Sequence, residues 1–303
     1  MVDLAVVILT HNESTHICRA IESVRAIARE IFVVDSYSAD KTSELAEGMG
    51  AVVLKNKFVN YAKQFDWALK NAPITATWVM RLDADEVIEP DLAAEIQREL
   101  PLLPPDVAGV NLKRKHIFMG RWIRHGGRYP LILLRIWRLG QGRIEQRWMD
   151  EHMVVWGGRT VTFHGGFSDV NLNDLTFFTD KHNRYATREA IDVLIRKYQL
   201  GALDEQLSAD SASPQAAWKR LMKEQIYNRL PFWVGPLFYF FYRYTIQLGF
   251  LDGRSGLIYH ALQGFWYRFL VGAKVEEFES KLRNCKGKSE RLAELERLTG
   301  FRL

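Results

Sequence analysis

Short apolar runs alternate with segments of helical periodicity over the first 116 residues, and this alternation constrains the fold more than any other feature of the sequence. Between the first two runs, Ile17, Ala20, Ile21 and Val24 recur at helical spacing. Such alternation is typical of a mostly parallel sheet that is covered by helices. The sequence therefore predicts an α/β domain with strands at residues 4–9, 31–34, 51–54, 78–82 and 108–112.

Polar side chains follow three of these runs, at the points where the predicted strands end. They occupy residues 10–13, 35–40 and 83–86. Because ligands of doubly wound sheets bind just beyond the carboxyl ends of the strands, these clusters are the first candidates for a functional site. Asp35 suits a hydrogen bond to a ribose or a base, whereas Asp40, ahead of a helical pattern, suits a helix cap.

Asp83 and Asp85 are the candidate metal ligands. In an extended strand, residues two apart project to the same side, and Ala84 points the other way. Two carboxylates on one face can hold Mg²⁺ or Mn²⁺, which complete their coordination with water and phosphate oxygens. The chain carries neither the glycine-rich dinucleotide fingerprint nor the P-loop motif, so we expect a divalent metal to bind the phosphates of a nucleotide.

Ten Lys or Arg residues and one acid lie between residues 113 and 147. Two interpretations are open: a solvated basic face, or a site for phosphates or lipid headgroups. In the second, Arg128 and Arg135, with Arg254 further along the chain, are candidate ligands of an acceptor's phosphates. The net charge of +5 is too small to indicate a nucleic-acid partner.

Residues 230–271 hold 14 of the chain's 37 aromatic side chains, with arginines between them. This mixture is typical of a segment in a membrane interface, where rings lie at headgroup level. An aromatic-rich helical subdomain or a dimer interface would show the same composition, so both stay open. No run reaches the roughly 18 apolar residues that span a bilayer, because Arg243 and Arg268 interrupt the best candidates.

Residues 207–214, with three serines and a proline, form the best candidate linker. We therefore expect one domain at residues 1–200 and a helical C-terminal region at 215–303. Two distant cysteines favour a reducing compartment, and the first residues lack the pattern of a secretory signal. With the aromatic segment, these features predict a cytoplasmic protein bound peripherally to the inner face of the cell membrane.

Motifs at four places in the chain resemble, in this order and at these spacings, the family 2 inverting glycosyltransferases. They are VVILTHNE at residues 6–13, VVDS at 33–36 with DKT at 40–42, YAKQ at 61–64 and LDADE at 82–86. The resemblance covers about residues 1–185 and implies the GT-A fold, a Rossmann-like, mostly parallel sheet with flanking helices. It also implies a UDP- or GDP-sugar donor and a divalent metal, Mn²⁺ or Mg²⁺.

The resemblance further implies a role for individual residues. Around the nucleoside it places Thr10, Asn12, Glu13 and Asp35. Near the donor, the ribose and the metal-bound pyrophosphate it places Lys63, Asp83 and Asp85. His164 resembles the late histidine of the family and would complete the metal's coordination or contact the pyrophosphate; a structural histidine is the alternative.

An inverting displacement needs one general base and no covalent nucleophile. Related bacterial envelope enzymes carry an acidic pair or a His-Glu pair after the basic segment, and Asp150 and Glu151 stand there in this chain. We expect Glu151 to be the base and Asp150 to be its main rival. Asp150 could instead simply pair with Arg147.

Residues 181–186 and 249–259 resemble the lipopolysaccharide, capsule and exopolysaccharide branch of the family. This implies a lipid-linked glycan or a lipopolysaccharide core as acceptor. Tyr37, where the family often has glycine, and Phe65 with Asp66, where a basic-Asn pair is commoner, depart from the family pattern. The alternative functions are a metal-dependent sugar nucleotidyltransferase, which would normally carry a glycine-rich basic loop, and a non-catalytic membrane-associated binding module.

Overall fold

The computed structural model describes residues 1–144, 153–200 and 231–301, and the chain divides into two compact units, Met1–Asn173 and Asp174–Leu303. In its described residues the first unit is an α/β domain with four α-helices. These are α1 (Ile17–Arg25), α2 (Thr42–Gly48), α3 (Tyr61–Asn71) and α4 (Pro90–Glu99). Its strands are β1 (Leu4–Thr10), β2 (Glu30–Asp35), β3 (Val52–Lys55), β4 (Trp78–Asp83), β5 (Glu86–Ile88), β6 (Val107–Phe118), β7 (Arg121–Trp122), β8 (Leu131–Arg138), β9 (Gly142–Ile144), β10 (Met153–Val155) and β11 (Arg159–Val170).

Nine of these strands form one sheet in the order β3-β2-β1-β4-β8-β6-β11-β5, with β7 paired to β6, while β9 and β10 pair with each other. β1 to β4 are parallel, and β11 is parallel to β6. β8 runs antiparallel to both β4 and β6, and β5 antiparallel to β11. The five predicted strands are β1 to β4 and β6, so the mostly parallel α/β sheet is confirmed.

Alternate side chains of β1 face opposite sides of the sheet, as the two-residue period of a strand requires. Leu4, Val6 and Ile8 belong to one buried core together with α1, and Ala5 and Val7 belong to a second core together with α3. Both faces of β1 are therefore covered, which explains its apolar sequence. Each fully buried Leu or Ile contributes about 2 kcal/mol to the free energy of unfolding.

α4 packs against β11 where the pairing of β11 with β6 shifts register, between Thr162 and Gly166. A Cβ atom on Gly165 would lie 2.6 Å from the Cα of Leu92, so only glycine permits this approach of the helix. The carboxylate of Glu95, on α4, accepts hydrogen bonds from the N–H of His164 (2.9 Å) and of Gly165 (2.7 Å). Glu95 thus provides acceptors for backbone groups at the irregularity.

The second unit is helical in its described residues and contains α5 (Leu175–Tyr198), α6 (Val234–Phe241), α7 (Gly253–Tyr259), α8 (Tyr267–Leu282) and α9 (Lys288–Thr299). π-helical turns at Tyr242–Ile246 and His260–Trp266 extend α6 and α7. The sequence predicts that residues 175–200, which form α5 and its end, belong to the first domain. The structure groups it with the second unit, because Ala190 and Leu194 share a core with Phe278, Leu282 and Leu295.

Among the described residues, none of the helices combines the length and the apolar character that crossing a bilayer demands.

We predict that Glu95→Gln lowers the free energy of unfolding by about 1–2 kcal/mol at neutral pH, because the amide is a weaker acceptor for the two N–H groups. Burial opposes ionisation of Glu95, but the hydrogen bonds from His164 and Gly165 outweigh it and lower the pKa of this carboxyl. A carboxyl with a lowered pKa contributes stability above its unfolded-state pKa and loses it as the pH falls through the folded-state pKa.

The difference between wild type and Glu95→Gln should therefore shrink below about pH 4. Denaturant titrations at neutral and acidic pH measure it. A difference that is equal at both pH values would contradict the prediction.

Candidate functional site

The carboxyl ends of β1 and β2 lie side by side, with Thr10 opposite Asp35 in the register. Asp35 is fully buried and accepts three hydrogen bonds at its carboxylate: from the Thr10 hydroxyl at 3.2 Å, from the Ser38 backbone N–H at 2.9 Å and from the Ser38 hydroxyl. These donors fix the orientation of the carboxylate at the edge of the sheet.

The loop after β1 is tied to the loop after β2. The N–H of Asn12 donates to the Ser38 hydroxyl at 2.8 Å, and the side-chain oxygen of Asn12 accepts from the N–H of Ala39 at 2.8 Å. The N–H of Glu13 donates to the Thr42 hydroxyl at 2.8 Å. The structure therefore brings the four predicted nucleoside residues together at one edge.

Tyr37 adopts a φ of 59°, in the left-handed region. Glycine adopts this conformation without a steric penalty, whereas a residue with a Cβ atom does so at a cost of about 1 kcal/mol. This backbone conformation explains why relatives in the family often have glycine at the position that Tyr37 occupies here. Asp40 accepts a hydrogen bond from the N–H of Thr42, the first residue of α2, at 3.0 Å. The N-cap residue of α2 is Lys41 and not Asp40 as predicted, so Asp40 contacts the start of the helix from one residue further away.

Asp83, the last residue of β4, is engaged by three side chains. The Tyr61 hydroxyl donates to it at 2.5 Å, and the guanidinium groups of Arg81 and Arg135 each lie 3.4 Å from a carboxylate oxygen. Burial raises the pKa of Asp83, but the charges of Arg81 and Arg135 outweigh it and hold the pKa well below its usual range. Asp83 is therefore ionised across the physiological pH range.

A buried acid, Glu86, extends this charged cluster. It pairs with Arg135 at 2.5 Å, accepts the backbone N–H of Asp83 at 2.9 Å and lies 3.7 Å from Arg114. Burial raises the pKa of Glu86, and the charge of Asp83 adds to the effect. With Asp169, which is 3.9 Å from Arg114, the cluster holds three carboxyl groups and three guanidinium groups.

The expectation that Asp83 and Asp85 share one face of an extended strand is wrong. Residues 84 and 85 form the turn between β4 and β5, so the alternation of a strand does not apply there. Asp85 accepts a hydrogen bond from the side-chain N–H of Asn171 at 3.1 Å. In the described ranges we find no group of three or more His, Cys, Asp or Glu side chains placed to hold a metal ion.

The predicted role of Arg135 as a phosphate ligand also requires correction. Its side chain is only 4% exposed and is paired with Glu86 and Asp83. Lys115 pairs with Glu89, and Arg138 donates to the backbone oxygen of Val107. Part of the basic segment thus neutralises internal acids or caps backbone groups, which a linear count of charges does not reveal.

His164 does not lie beside the two aspartates. Its side chain is 90% exposed and faces Glu95, with 3.3 Å between Nδ1 and Oε1. We call the sheet edge that holds Asp35, Asp83 and Asp85 the functional edge; Asp169, opposite Glu86, lies beside it. His164 precedes Asp169 by five residues on β11, and since a strand rises about 3.3 Å per residue, it lies roughly 15 Å from this edge. The position in the strand, and not the residue type, excludes it from the metal site that the resemblance implies.

The remaining predicted residues are dispersed. Lys63 is exposed in the first turn of α3, and Arg128 is half-buried between β7 and β8. Arg254 is exposed on α7 in the second unit. Asp150 and Glu151, with Arg147 and the candidate linker at 207–214, lie outside the described residues.

Several residues at the edge were not predicted. Tyr61 and Glu86 stand inside two of the motifs, so the motifs contain a signal for them. His16 is buried and links Glu13 to Leu172, while Asn171 contacts Asp85 from β11's end. No local pattern distinguishes these last two, because their partners are distant in sequence.

We predict that Arg135→Met destabilises the protein by about 3 kcal/mol, because it leaves Glu86 buried without its closest charged partner. Arg135→Met combined with Glu86→Leu should recover part of this loss. Arg143→Met, at an exposed arginine on β9, is the control and should change stability by less than about 0.5 kcal/mol. Urea unfolding of the three variants decides the matter; a double variant less stable than Arg135→Met would contradict the assignment.

Comparison with known proteins identifies relatives of this fold. The sequence model of Glycosyl transferase family 2 matches residues 5–170, more than half of the chain. An uncharacterized glycosyltransferase of Rickettsia conorii is 41% identical over 90 residues, which is 30% of this chain and 31% of that protein. One of Rickettsia prowazekii is 37% identical over 97 residues, which is 32% of each. The chain thus matches about a third of the length of these relatives.

Two of the similar solved structures are enzyme complexes. The mannosyltransferase PcManGT from Pyrobaculum calidifontis, in complex with GDP-Man and Mn²⁺, is 15% identical, with a TM-score of 0.42 over 99% of this chain and 81% of that one. Glucosyl-3-phosphoglycerate synthase from Mycobacterium tuberculosis, in complex with Mn²⁺, UDP and glucosyl-3-phosphoglycerate, is 21% identical, with a TM-score of 0.30 over 37% of this chain and 43% of that one.

Proposed function

Since the chain belongs to glycosyl transferase family 2, we propose that it transfers one sugar, with inversion, from a UDP- or GDP-sugar to a lipid-linked glycan or lipopolysaccharide core. The observation that carries this proposal is the convergence of Asp35, Asp83 and Asp85 at the carboxyl ends of two parallel strands. All three lie inside the segment that the family model matches. This match favours sugar transfer over nucleotidyl transfer.

In this proposal Asp35 accepts a hydrogen bond from the nucleoside, because Thr10 and Ser38 hold its carboxylate at the edge of the sheet. Asn12 and Glu13 form the adjoining wall. Asp83, kept ionised by Arg81 and Arg135, accepts from the ribose hydroxyls. Lys63 contacts the donor from the start of α3.

The residues present fit a hard divalent cation that is shared with the donor. Asp85 provides a carboxylate on the β4–β5 turn, and the described residues supply no closed set of protein ligands. Mg²⁺ and Mn²⁺ commonly bind with one or two carboxylates, water and substrate phosphates. When bound, the metal neutralises the charge that develops on the departing nucleoside diphosphate.

We assign the proton transfer to Glu151, with Asp150 as the rival; this rests on the sequence resemblance. The acceptor's hydroxyl oxygen attacks the anomeric carbon while the bond from that carbon to the diphosphate breaks. The carboxylate takes the hydroxyl proton, and the electron pair leaves with the diphosphate. Arg128 and Arg254 are proposed contacts of the acceptor's phosphates.

Asp85→Ala should abolish Mn²⁺-dependent binding of the donor and reduce turnover by at least about 100-fold, because it removes the carboxylate proposed to hold the metal.

Glu151→Gln should leave donor binding intact and lower kcat by about 100-fold or more, because the amide cannot take a proton. Calorimetry with UDP- and GDP-sugars, with and without Mn²⁺, followed by product assays, separates the two effects. A fully active Glu151→Gln would show that the base is another residue.

We also propose that the second unit binds the inner face of the cell membrane, where a lipid-linked acceptor is available. On α6 and the following π-helical turn, one face is exposed and apolar. Phe238 and Ile246 are 68% and 72% exposed, and Leu237, Phe241 and Tyr242 lie on the same face. Exposed aromatic and aliphatic groups of this density suit the interface of a bilayer.

The charges of this region support a lipid partner. Between residues 231 and 257 the charged side chains are Arg243, Asp252 and Arg254. Arg243 and Asp252 are buried, so the exposed charge of the segment is that of Arg254 alone. A cationic side chain beside an apolar surface complements anionic headgroups.

Serine substitution of Phe238, Phe241 and Ile246 together should release the protein from vesicles of phosphatidylethanolamine and phosphatidylglycerol, because it removes the most exposed apolar groups. A flotation assay measures the bound fraction. Serine at Val59, Leu102 and Ile132, which are equally exposed but lie in the first unit, is the matched control and should leave binding unchanged. Flotation of the test variant at the wild-type level would refute membrane binding through this face.

A further inference from the structure

The last residue of β11 and the two residues after it, 170–172, are hydrogen-bonded to Asp85, Arg19 and His16. The backbone N–H of Val170 donates to the backbone oxygen of Asp85 at 2.9 Å, and Arg19 of α1 donates to the oxygen of Val170 at 2.6 Å. The side chain of Asn171 donates to Oδ2 of Asp85 at 3.1 Å. Asp85 is therefore held by the same segment at its backbone and at its carboxylate.

The orientation of the Asn171 amide is determined by its two contacts. Its Oδ1 accepts the backbone N–H of Asn173 at 2.9 Å, so its NH₂ group is the one that faces Asp85. A donor at this position turns one carboxylate oxygen of Asp85 toward β11's end. Rotation of the carboxylate would break this hydrogen bond, which comes from a residue 86 positions away in the sequence.

The next residue anchors the same segment to the nucleoside side of the edge. The N–H of Leu172 donates to Nε2 of His16 at 2.9 Å, so the proton of this neutral imidazole is on Nδ1. Nδ1 then donates to Glu13, at 2.6 Å. His16 is 1% exposed, so water does not compete for either bond. Residues 171 and 172 thus contact the proposed metal ligand and, through His16, a proposed nucleoside residue.

We propose that Asn171 is a positioning residue that orients the carboxylate of Asp85 toward the divalent cation. This inference rests on the proposed function. Partners that hydrogen-bond a metal-binding carboxylate fix its direction before the metal arrives, and their removal typically weakens metal affinity by about 10–100-fold. In this role Asn171 contacts the Asp85 carboxylate and does not itself bind the metal.

The test is a titration of Mn²⁺, followed by electron paramagnetic resonance, in the presence of saturating UDP and separately of GDP. Asn171→Ala should raise the apparent Kd for Mn²⁺ about tenfold or more. Asn171→Leu, which keeps most of the side-chain volume, should do the same. Asn173→Ala is the matched control, because it keeps the backbone N–H of residue 173 that donates to Oδ1 of Asn171. The Kd of this variant for Mn²⁺ should stay within about twofold of wild type.

Turnover provides a second reading. At saturating Mn²⁺ the kcat of Asn171→Ala should approach that of wild type, while the Mn²⁺ concentration for half-maximal rate rises about tenfold. A purely structural role would lower the melting temperature and leave this metal titration unchanged. Equal Mn²⁺ affinity in wild type and both Asn171 variants would overturn the inference alone. Absence of Mn²⁺ binding by wild type with either nucleotide would overturn the proposed function as well.

Discussion

The pairing of β1 with β2 on one side and β4 on the other is the constraint on which the functional edge depends. Thr10 is opposite Asp35, and Leu9 is opposite Asp83. Because adjacent strands lie about 4.8 Å apart, this register brings the ends of three strands within roughly 10 Å. A shift of one residue in either pairing would turn each side chain to the opposite face.

Carboxyl groups placed close together at the functional edge repel each other when they are ionised. Arginines on β8, which runs antiparallel to β4, and on its neighbour β6 offset this repulsion. Arg135 of β8 pairs with Glu86 and Asp83, and Arg114 of β6 lies 3.7 Å from Glu86. Buried ion pairs contribute little net stability over apolar packing, but an unpaired buried charge is strongly unfavourable. Arg135 and Arg81 therefore keep Asp83 ionised and in place, as its proposed role in donor binding requires.

The two units place different demands on their surfaces. The first buries its apolar strands on both faces between helices. In the second unit, residues 231–257 leave large apolar side chains exposed, while Arg243 and Asp252 of the same segment are buried. A surface of this kind suits the membrane contact that we propose. Membrane binding would complement the proposed activity, because a lipid-linked acceptor is confined to the membrane surface.

The sequence by itself determined the strands β1 to β4 and β6, helix α1, and the clusters after β1, β2 and β4, because strand and helix periods and chain order are local properties. Motifs in the first half also indicated the family. The tertiary structure alone decided that Arg135 neutralises an internal acid, that His164 faces Glu95, and that His16 and Asn171 reach the functional edge. These contacts join residues far apart in the chain, and their existence depends on strand direction, register and burial, none of which a local pattern encodes.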